Sequence, residues 1–299
     1  MPLIRSERAA AAASMTGAVS NQLGAAIGAT IFPLVGPVGV VAARQFVSAI
    51  VLLGISRPRL HRLTWRQLRP ALLLGAALVS MNVSIYFAIE RIGLGLAVTL
   101  EFLGPLALAL ISSRRRRDLG IAALAGLGVV LLTGTVSGLD PLGIAFALLA
   151  AASWAGYILC NQVAGRSLPG LQGTAIGSLV ATITTLPLLV VAVLHVPEGE
   201  LPRVLLVFLA AGLLASVVPY SIDLVVLRHL RREVFGILQS IHPAAAALAG
   251  LLVLQQLLTP LQWAGLLLVS AGNVLAVLLG ARGGGPASDP GVPEADPRG

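Results

Sequence analysis

Long apolar stretches alternate along the chain with short segments that hold most of its charged residues, prolines and turn-forming residues. The hydrocarbon core of a bilayer is about 30 Å thick, so a helix that crosses it needs about 20 mostly apolar residues. This pattern predicts an all-α integral membrane protein with ten transmembrane helices. The ten predicted helices cover residues 15–34, 37–56, 69–90, 95–113, 119–137, 141–162, 172–194, 203–227, 234–255 and 260–280.

The composition agrees with this pattern. Of the 299 residues, 57% are hydrophobic and only 11% are charged, whereas a soluble domain has about 25% charged residues. These values exclude a soluble enzyme, a disordered chain and a disulfide-rich secreted module. Cys160 is the single cysteine of the sequence, so an internal disulfide is excluded as well.

The basic residues have the distribution of cytoplasmic loop anchors rather than that of a nucleic-acid-binding face. The chain has no lysine, and its net charge of +8 is the excess of 20 arginines over 12 acidic residues. With the N-terminus in the cytoplasm, 17 arginines fall on the cytoplasmic side, Arg91 and Arg203 fall outside, and Arg44 lies within a helix. This bias predicts that both termini are cytoplasmic, with a tail at residues 1–14 and a disordered tail at 281–299.

The sequence matches itself weakly when it is shifted by 138 residues. The stretch 101–105 then falls on 239–243, and Ala125-Gly126 comes within one residue of Ala264-Gly265. Because each half holds five helices, an odd number, the second half must enter the membrane in the opposite orientation. Such inverted repeats are typical of secondary transporters, with receptors and inert scaffolds as the alternative. The two predicted repeats cover residues 15–137 and 141–280.

Several short runs are similar to those of a known transporter family. They are Phe-Pro-Leu-Val-Gly at 32–36, Met-Asn at 81–82, Gly-Leu-Ala-Val-Thr-Leu-Glu-Phe-Leu-Gly-Pro at 95–105, Ser-Trp-Ala-Gly-Tyr-Ile-Leu at 153–159, Ala-Ile-Gly-Ser at 175–178 and Pro-Tyr-Ser at 219–221. Over about residues 20–280 the chain resembles EamA-type transporters of the drug/metabolite transporter superfamily, within them the threonine/homoserine exporter group. The resemblance implies a ten-helix exporter of small amino acids in the bacterial plasma (inner) membrane, driven by the proton gradient.

Two charged residues lie inside predicted helices, Arg44 in the second and Glu101 in the fourth. A charge at the centre of a spanning helix costs about 2.5–3.5 kcal/mol on insertion scales, so each one needs a partner or a function. Both lie about 9 to 10 Å from the outer ends of helices that run inward, so they share a depth. Arg44 is predicted to bind a substrate carboxylate, and Glu101 an α-amino group or a proton. The alternative is an ion pair that holds the two helices together.

Two prolines are predicted to interrupt helices at matching positions of the two repeats. Proline lacks the amide hydrogen that would bind the carbonyl four residues earlier. Pro105 therefore frees the carbonyl of Glu101, and Pro243 frees that of Gln239. Paired breaks at corresponding positions are the best sequence indication of a transport site.

Further polar and aromatic residues are candidates for the same site. Asn82 and Tyr86 lie one turn apart on the third predicted helix and share a face. Trp154 and Tyr157 are predicted to form an aromatic wall, with packing as the alternative. Asp223 lies near the inner end of the eighth predicted helix, which favours a gate or an anchor over a deep site.

Some polar residues in the helices have a less direct interpretation. His242 and Gln256 stand where the exporter group usually has carboxylates, so proton transfer in the second repeat would rest on His242. An imidazole can take up a proton near neutral pH, but burial favours a neutral, hydrogen-bonding histidine. Asn21 and Gln22 are predicted to connect helices, and the stretch 24–28 to allow close helix packing.

The sequence contains no Walker-type phosphate loop, no metal-ligand spacing and nothing that places Ser, His and Asp as a triad. We therefore expect no enzyme activity, no cofactor and no metal. The expected partners are a small-molecule substrate, protons and membrane lipid, without nucleic acid, and the oligomeric state stays open. The alternatives are export of another metabolite, a cationic drug or a lipid by the same fold, and a membrane enzyme or receptor without transport activity.

Overall fold

The computed structural model describes residues 7–58, 63–113, 116–133, 140–168, 172–226 and 232–281, and its regular secondary structure there is helical. A π-helical segment, Leu213–Val217, joins the ninth helix to the tenth. The helices are α1 (Glu7–Ala29), α2 (Phe32–Ser56), α3 (Trp65–Ile92), α4 (Leu94–Glu101), α5 (Leu103–Ser113), α6 (Arg116–Thr133), α7 (Pro141–Ser167), α8 (Gln172–Leu194), α9 (Leu201–Gly212), α10 (Val218–Val226), α11 (Arg232–Gln239), α12 (His242–Leu254) and α13 (Pro260–Ala281).

Within the described part of the chain, eight helical stretches are long and apolar enough to cross a membrane. They are Phe32–Ser56, Trp65–Ile92, Leu94–Ile111, Pro141–Asn161, Gln172–Leu194, Glu198–Ile222, Ile237–Leu254 and Pro260–Leu279. The apolar part of α6, Leu119–Thr133, is shorter, and α1 is not among the eight. Large apolar side chains cover the exterior, with Leu194 76% and Leu257 82% exposed. The all-α membrane class is confirmed, and the count of ten spans stays a prediction.

Most helix ends lie within a few residues of the predicted bounds, and α8 coincides with the predicted helix 172–194. The largest difference is at α1, which begins at Glu7, eight residues before its predicted start. The alanines of residues 9–13 favour a helix strongly although this stretch is not part of a long apolar run. The predicted helices 15–34 and 37–56 meet at residues that lie inside α2, where Gly36 alone is non-helical (φ +66°), a conformation that glycine adopts without strain.

Both predicted helix breaks are present. Glu101 ends α4 and Gln239 ends α11, separated by the same 138 residues as the weak internal match. Phe102 lies between α4 and α5, and residues 240–241 lie between α11 and α12. The physical reason is the proline four residues after each helix end, which cannot continue the backbone hydrogen bonds.

Helices at corresponding positions of the two halves pack directly on each other, α2 on α8 and α6 on α13. The interrupted pairs α4–α5 and α11–α12 also correspond, and they meet where α4 packs on α12. The contact between α6 and α13 is a reciprocal glycine crossing. A Cβ atom on Gly128 would lie 2.8 Å from the Gly265 carbonyl oxygen, and one on Gly265 would lie 2.5 Å from that of Gly128. Small residues of this kind let membrane helices approach to backbone contact.

Candidate functional site

A cavity of about 580 Å³ lies between the two halves of the molecule. Among its lining residues, Arg44, Tyr86 and Val98 are buried. Ala109 of α5 and Phe235 of α11, which also line it, are partly exposed. The helices α4 and α12, which both contribute lining residues, pack on each other.

Arg44, which is 5% exposed, donates three hydrogen bonds to residues of other helical segments. Its Nη1 donates to Tyr86 Oη at 2.7 Å, and its Nη2 donates to the Ala215 carbonyl oxygen at 2.8 Å. Its Nε donates to Ser216 Oγ at 3.3 Å. The guanidinium carbon also lies 5.1 Å from the centre of the Tyr86 ring, within cation–π distance. Arg44 therefore connects α2 with α3 and with the π-helical segment.

The π-helical segment Leu213–Val217 is also held by α1. Ser20 Oγ donates to the Leu214 carbonyl oxygen at 2.8 Å. A Cβ atom on Gly24 would lie 2.5 Å from the Ala215 nitrogen, which confirms that the stretch 24–28 serves close packing. Since π-turns occur frequently at functional sites, this segment is a further part of the candidate site.

Glu101 is 9% exposed and lines the same cavity as Arg44. Within the described part of the chain its carboxylate has no hydrogen-bond partner and no ion-pair partner. An ion pair between Arg44 and Glu101, one of the two interpretations of the sequence, is therefore not formed. Arg44 instead donates three of its five N–H groups to neutral acceptors, and α2 packs mainly on α8 and α9.

An aromatic cluster continues the cavity wall beyond Glu101. The ring of Phe102 contacts Trp154 almost perpendicularly, with centres 4.6 Å apart. On another side it contacts His242, with centres 5.6 Å apart. Gln22 Nε2 lies 3.0 Å from His242 Nδ1, and both residues are buried. The two helix breaks are thus joined through Phe102 and His242.

Most residues predicted from the sequence meet in this cavity. Those that line it are Arg44, Asn82, Tyr86, Glu101, Pro105, Trp154, Tyr157 and His242. Asn82 Nδ2 donates to the Leu78 carbonyl oxygen of its own helix at 2.8 Å. Pro243 is buried in α12 and is not among the lining residues. Asp223 belongs to α10, and its side chain lies outside the described part of the structure.

Several parts of the site had little or no signal in the sequence. Gln22 was predicted only to connect helices, but it lines the cavity and contacts His242. A polar residue within an apolar helix was the available signal. Phe102 carried no signal beyond its place next to Glu101. Ala215 and Ser216 could not be found, because no motif marks a π-helical segment in the sequence.

Comparison with known proteins identifies related transporters. The model of the EamA-like transporter family matches residues 141–278. The chain is 38% identical over 273 residues to the threonine/homoserine exporter RhtA of Escherichia coli (strain K12), which covers 88% of this chain and 87% of that protein. It is also 38% identical over 269 residues to the protein of the same name from Salmonella typhimurium (strain LT2), with coverage of 87% and 88%.

A more distant relative and a solved structure extend the comparison. The chain is 27% identical over 228 residues to the uncharacterized transporter YwfM of Bacillus subtilis (strain 168), which covers 73% of this chain and 75% of that protein. One crystal structure of a protein is 19% identical, covers 91% of this chain and 98% of the other, and has a TM-score of 0.60. At this identity the likeness concerns the fold alone.

Proposed function

Because the chain belongs to the EamA-like transporter family, we propose that it is a secondary exporter of small zwitterionic amino acids such as threonine and homoserine. The observation that carries this proposal is the pair of opposite charges, Arg44 and Glu101, in one cavity without an ion pair between them. A free amino acid presents the complementary pair, a carboxylate and an ammonium group. The names of the relatives from Escherichia coli and Salmonella typhimurium support the same substrate class.

The proposed topology has ten transmembrane helices in two inverted repeats, in the bacterial plasma membrane, with both termini in the cytoplasm. The direct packing of corresponding helices and the 138-residue spacing of the two breaks support the repeats. In this topology α1 and α6 are the two spans beyond the eight apolar stretches. The ends of α5 and α11 that adjoin arginine-rich segments are then cytoplasmic. We place the opening of the cavity beside Ala109 and Phe235, near those ends, on the side from which an exporter takes its substrate.

In the proposed mechanism the substrate carboxylate binds Arg44, next to Tyr86 Oη, and the ammonium group binds Glu101. Asn82, Trp154 and Tyr157 complete the site. A carboxylate can hold either the ammonium group or a proton, so the two ligands compete for Glu101. Alternating access then exchanges them: substrate leaves with Glu101 ionised, and Glu101 returns to the cytoplasmic side carrying one proton.

The proposal is tested with everted membrane vesicles, in which export appears as accumulation of labelled threonine. We expect accumulation to rise when the vesicle interior is made acidic, and Glu101→Gln to lose this stimulation. Glu198→Gln is the matched control, because Glu198 lies in an exposed turn before α9. Normal accumulation by Glu101→Gln, at a normal amount of inserted protein, would contradict the assignment of the site.

The alternative substrates differ in charge. A cationic drug would bring a positive charge into a cavity that already holds Arg44, which disfavours it. Labelled homoserine, an uncharged metabolite and a cationic drug, each offered to the same vesicles, separate these classes. Stimulated accumulation of the cation, without accumulation of amino acids, would replace the proposed substrate class.

A further inference from the structure

The two helix breaks of the molecule contact each other. Phe102 separates α4 from α5, and His242 is the first residue of α12, beyond the second break. Their ring centres are 5.6 Å apart. Trp154 of α7 contacts Phe102 with a centre distance of 4.6 Å and an interplanar angle of 89°. The residue that follows Glu101 is therefore held by rings from both halves of the protein.

The orientation of the His242 ring is fixed by Gln22 of α1. The Gln22 amide nitrogen and His242 Nδ1 are 3.0 Å apart, and the two side chains belong to residues that are 5% and 6% exposed. With the amide nitrogen as donor, Nδ1 accepts and the ring proton is on Nε2, which is a neutral imidazole. With the amide reversed, Gln22 Oε1 would accept from Nδ1–H instead.

No hydrogen bond like that of His242 fixes the orientation of the Glu101 side chain within the described part of the chain. Its carboxylate makes no hydrogen bond within the described part of the chain, and Pro105 cannot donate to its backbone carbonyl. The direction of its side chain therefore depends on how the end of α4 is held. The first contact beyond that end is the ring of Phe102 between Trp154 and His242.

We infer that Gln22 and His242 are positioning residues for Glu101, acting through the ring of Phe102. The inference rests on the proposed role of Glu101 in binding the substrate amine and the proton. It assigns the second helix break a supporting role, in which His242 stays neutral and carries no proton through the transport cycle.

The other titratable groups that face the cavity with His242 are few. They are Arg44, Glu101, Tyr86, Tyr157 and Tyr220 among the described lining residues. The helices packed against α12 also contribute polar lining residues, which include Gln22 of α1, Glu101 of α4 and Asn273 of α13. Glu101 is thus the single carboxylate among the described lining residues, and the pH dependence of export is assigned to it.

Two substitutions at one position separate support from proton transfer. His242→Gln cannot titrate but keeps a polar side chain of similar size beside Gln22, whereas His242→Ala removes the contact with Phe102. For His242→Gln we expect the pH profile of threonine export and the KM to stay within about threefold of the unsubstituted protein. For His242→Ala we expect the KM to rise about tenfold with a smaller change in kcat.

A direct readout of Glu101 complements the kinetics. Carbodiimide modification of the Glu101 carboxyl, followed by mass spectrometry of the peptide, reports access to that group and its protection by threonine. We expect His242→Ala to reduce the protection and His242→Gln to preserve it. His195→Ala is the matched control, since His195 is exposed directly after α8 and its hydrogen bond is to the Val191 carbonyl oxygen of that helix.

Each outcome decides the inference. A normal KM and normal protection in His242→Ala would overturn it, and so would loss of the pH dependence in His242→Gln, since His242 would then carry the proton. Glu101→Gln, measured in parallel, keeps the two proposals apart. If Glu101→Gln exports normally, the proposed function of Glu101 fails; if it is inactive while His242→Ala is normal, only the positioning role fails.

Discussion

The two helix breaks have the same backbone cause but differ in the chemistry of their side chains. Each has a proline four residues after a helix end, and the ends are 138 residues apart. The first break presents Glu101 to the cavity, and the second presents Gln239 at the corresponding position. Gly104 of the first break corresponds to His242 of the second by the same shift.

The surroundings of Gly104 and His242 explain the difference between the breaks. A Cβ atom on Gly104 would overlap with the carbonyl oxygen of Ala151, so α5 and α7 touch at the backbone. At the second break there is room for an imidazole ring between Gln22 and Phe102. The first break has a carboxylate and a glycine at backbone contact, while the second has an uncharged glutamine and an imidazole at the corresponding positions.

The largest expected effect tests the backbone contact of Gly104 at the first break. Gly104→Ala should reduce the free energy of unfolding by about 3 kcal/mol, because the added methyl group meets backbone that cannot turn aside. The amount of inserted protein and the melting temperature in detergent measure this effect. Gly126→Ala is the matched control, because no atom lies within 4 Å of a Cβ there. Equal stability of the two variants would contradict this prediction and show that α7 moves away from the added methyl group.

A second prediction exchanges the chemistry of the two breaks. The double variant Glu101→Gln/Gln239→Glu moves the acid from the first break to the second. We expect the kcat/KM of threonine export to stay about 10- to 100-fold below normal, because a hydrogen bond to a charged group contributes about 1.5–3 kcal/mol. Gln239→Glu alone measures the cost of the added charge. Recovery of export by the double variant would mean that the breaks are interchangeable.

The smallest expected effect concerns the start of α4, the helix that leads to the first break. Gln256 Oε1 accepts the Leu94 amide hydrogen at 2.9 Å, so a side chain that follows α12 caps α4. Gln256→Ala should cost about 1 kcal/mol of stability, the usual value of a lost helix cap. Thermal unfolding in detergent measures it against Gln255→Ala, whose exposed side chain donates to the Leu252 carbonyl of α12. Equal melting temperatures would exclude a capping role.

Much of the fold could be predicted because the length of an apolar run and the position of a proline determine helix bounds from neighbouring residues alone. The bounds of α8 and the positions of both breaks were predicted from apolar runs and from Pro105 and Pro243. The start of α1 was not, since alanines 9–13 form a helix without belonging to a long apolar run.

The site was predictable as a set of residues but not as a set of contacts. A buried charge is costly wherever it lies, so Arg44 and Glu101 stood out from the sequence. Their partners depend on which helices become neighbours. The sequence suggested that the two charges could form an ion pair. In the structure Arg44 instead donates hydrogen bonds to Tyr86 and to the π-helical segment. The contact of Gln22 with His242 spans 220 residues and had no local signal.

The crossing of α6 and α13 at Gly128 and Gly265 restricts which amino-acid substitutions this protein can accept. Each glycine is opposed by the main-chain carbonyl of the other, and every amino acid has that carbonyl. A second substitution at the partner position therefore cannot compensate for a side chain gained at the first. Selection for function in a random library should deplete substitutions at both glycines. A deep mutational scan would therefore show two positions that accept no other residue and that no second substitution rescues.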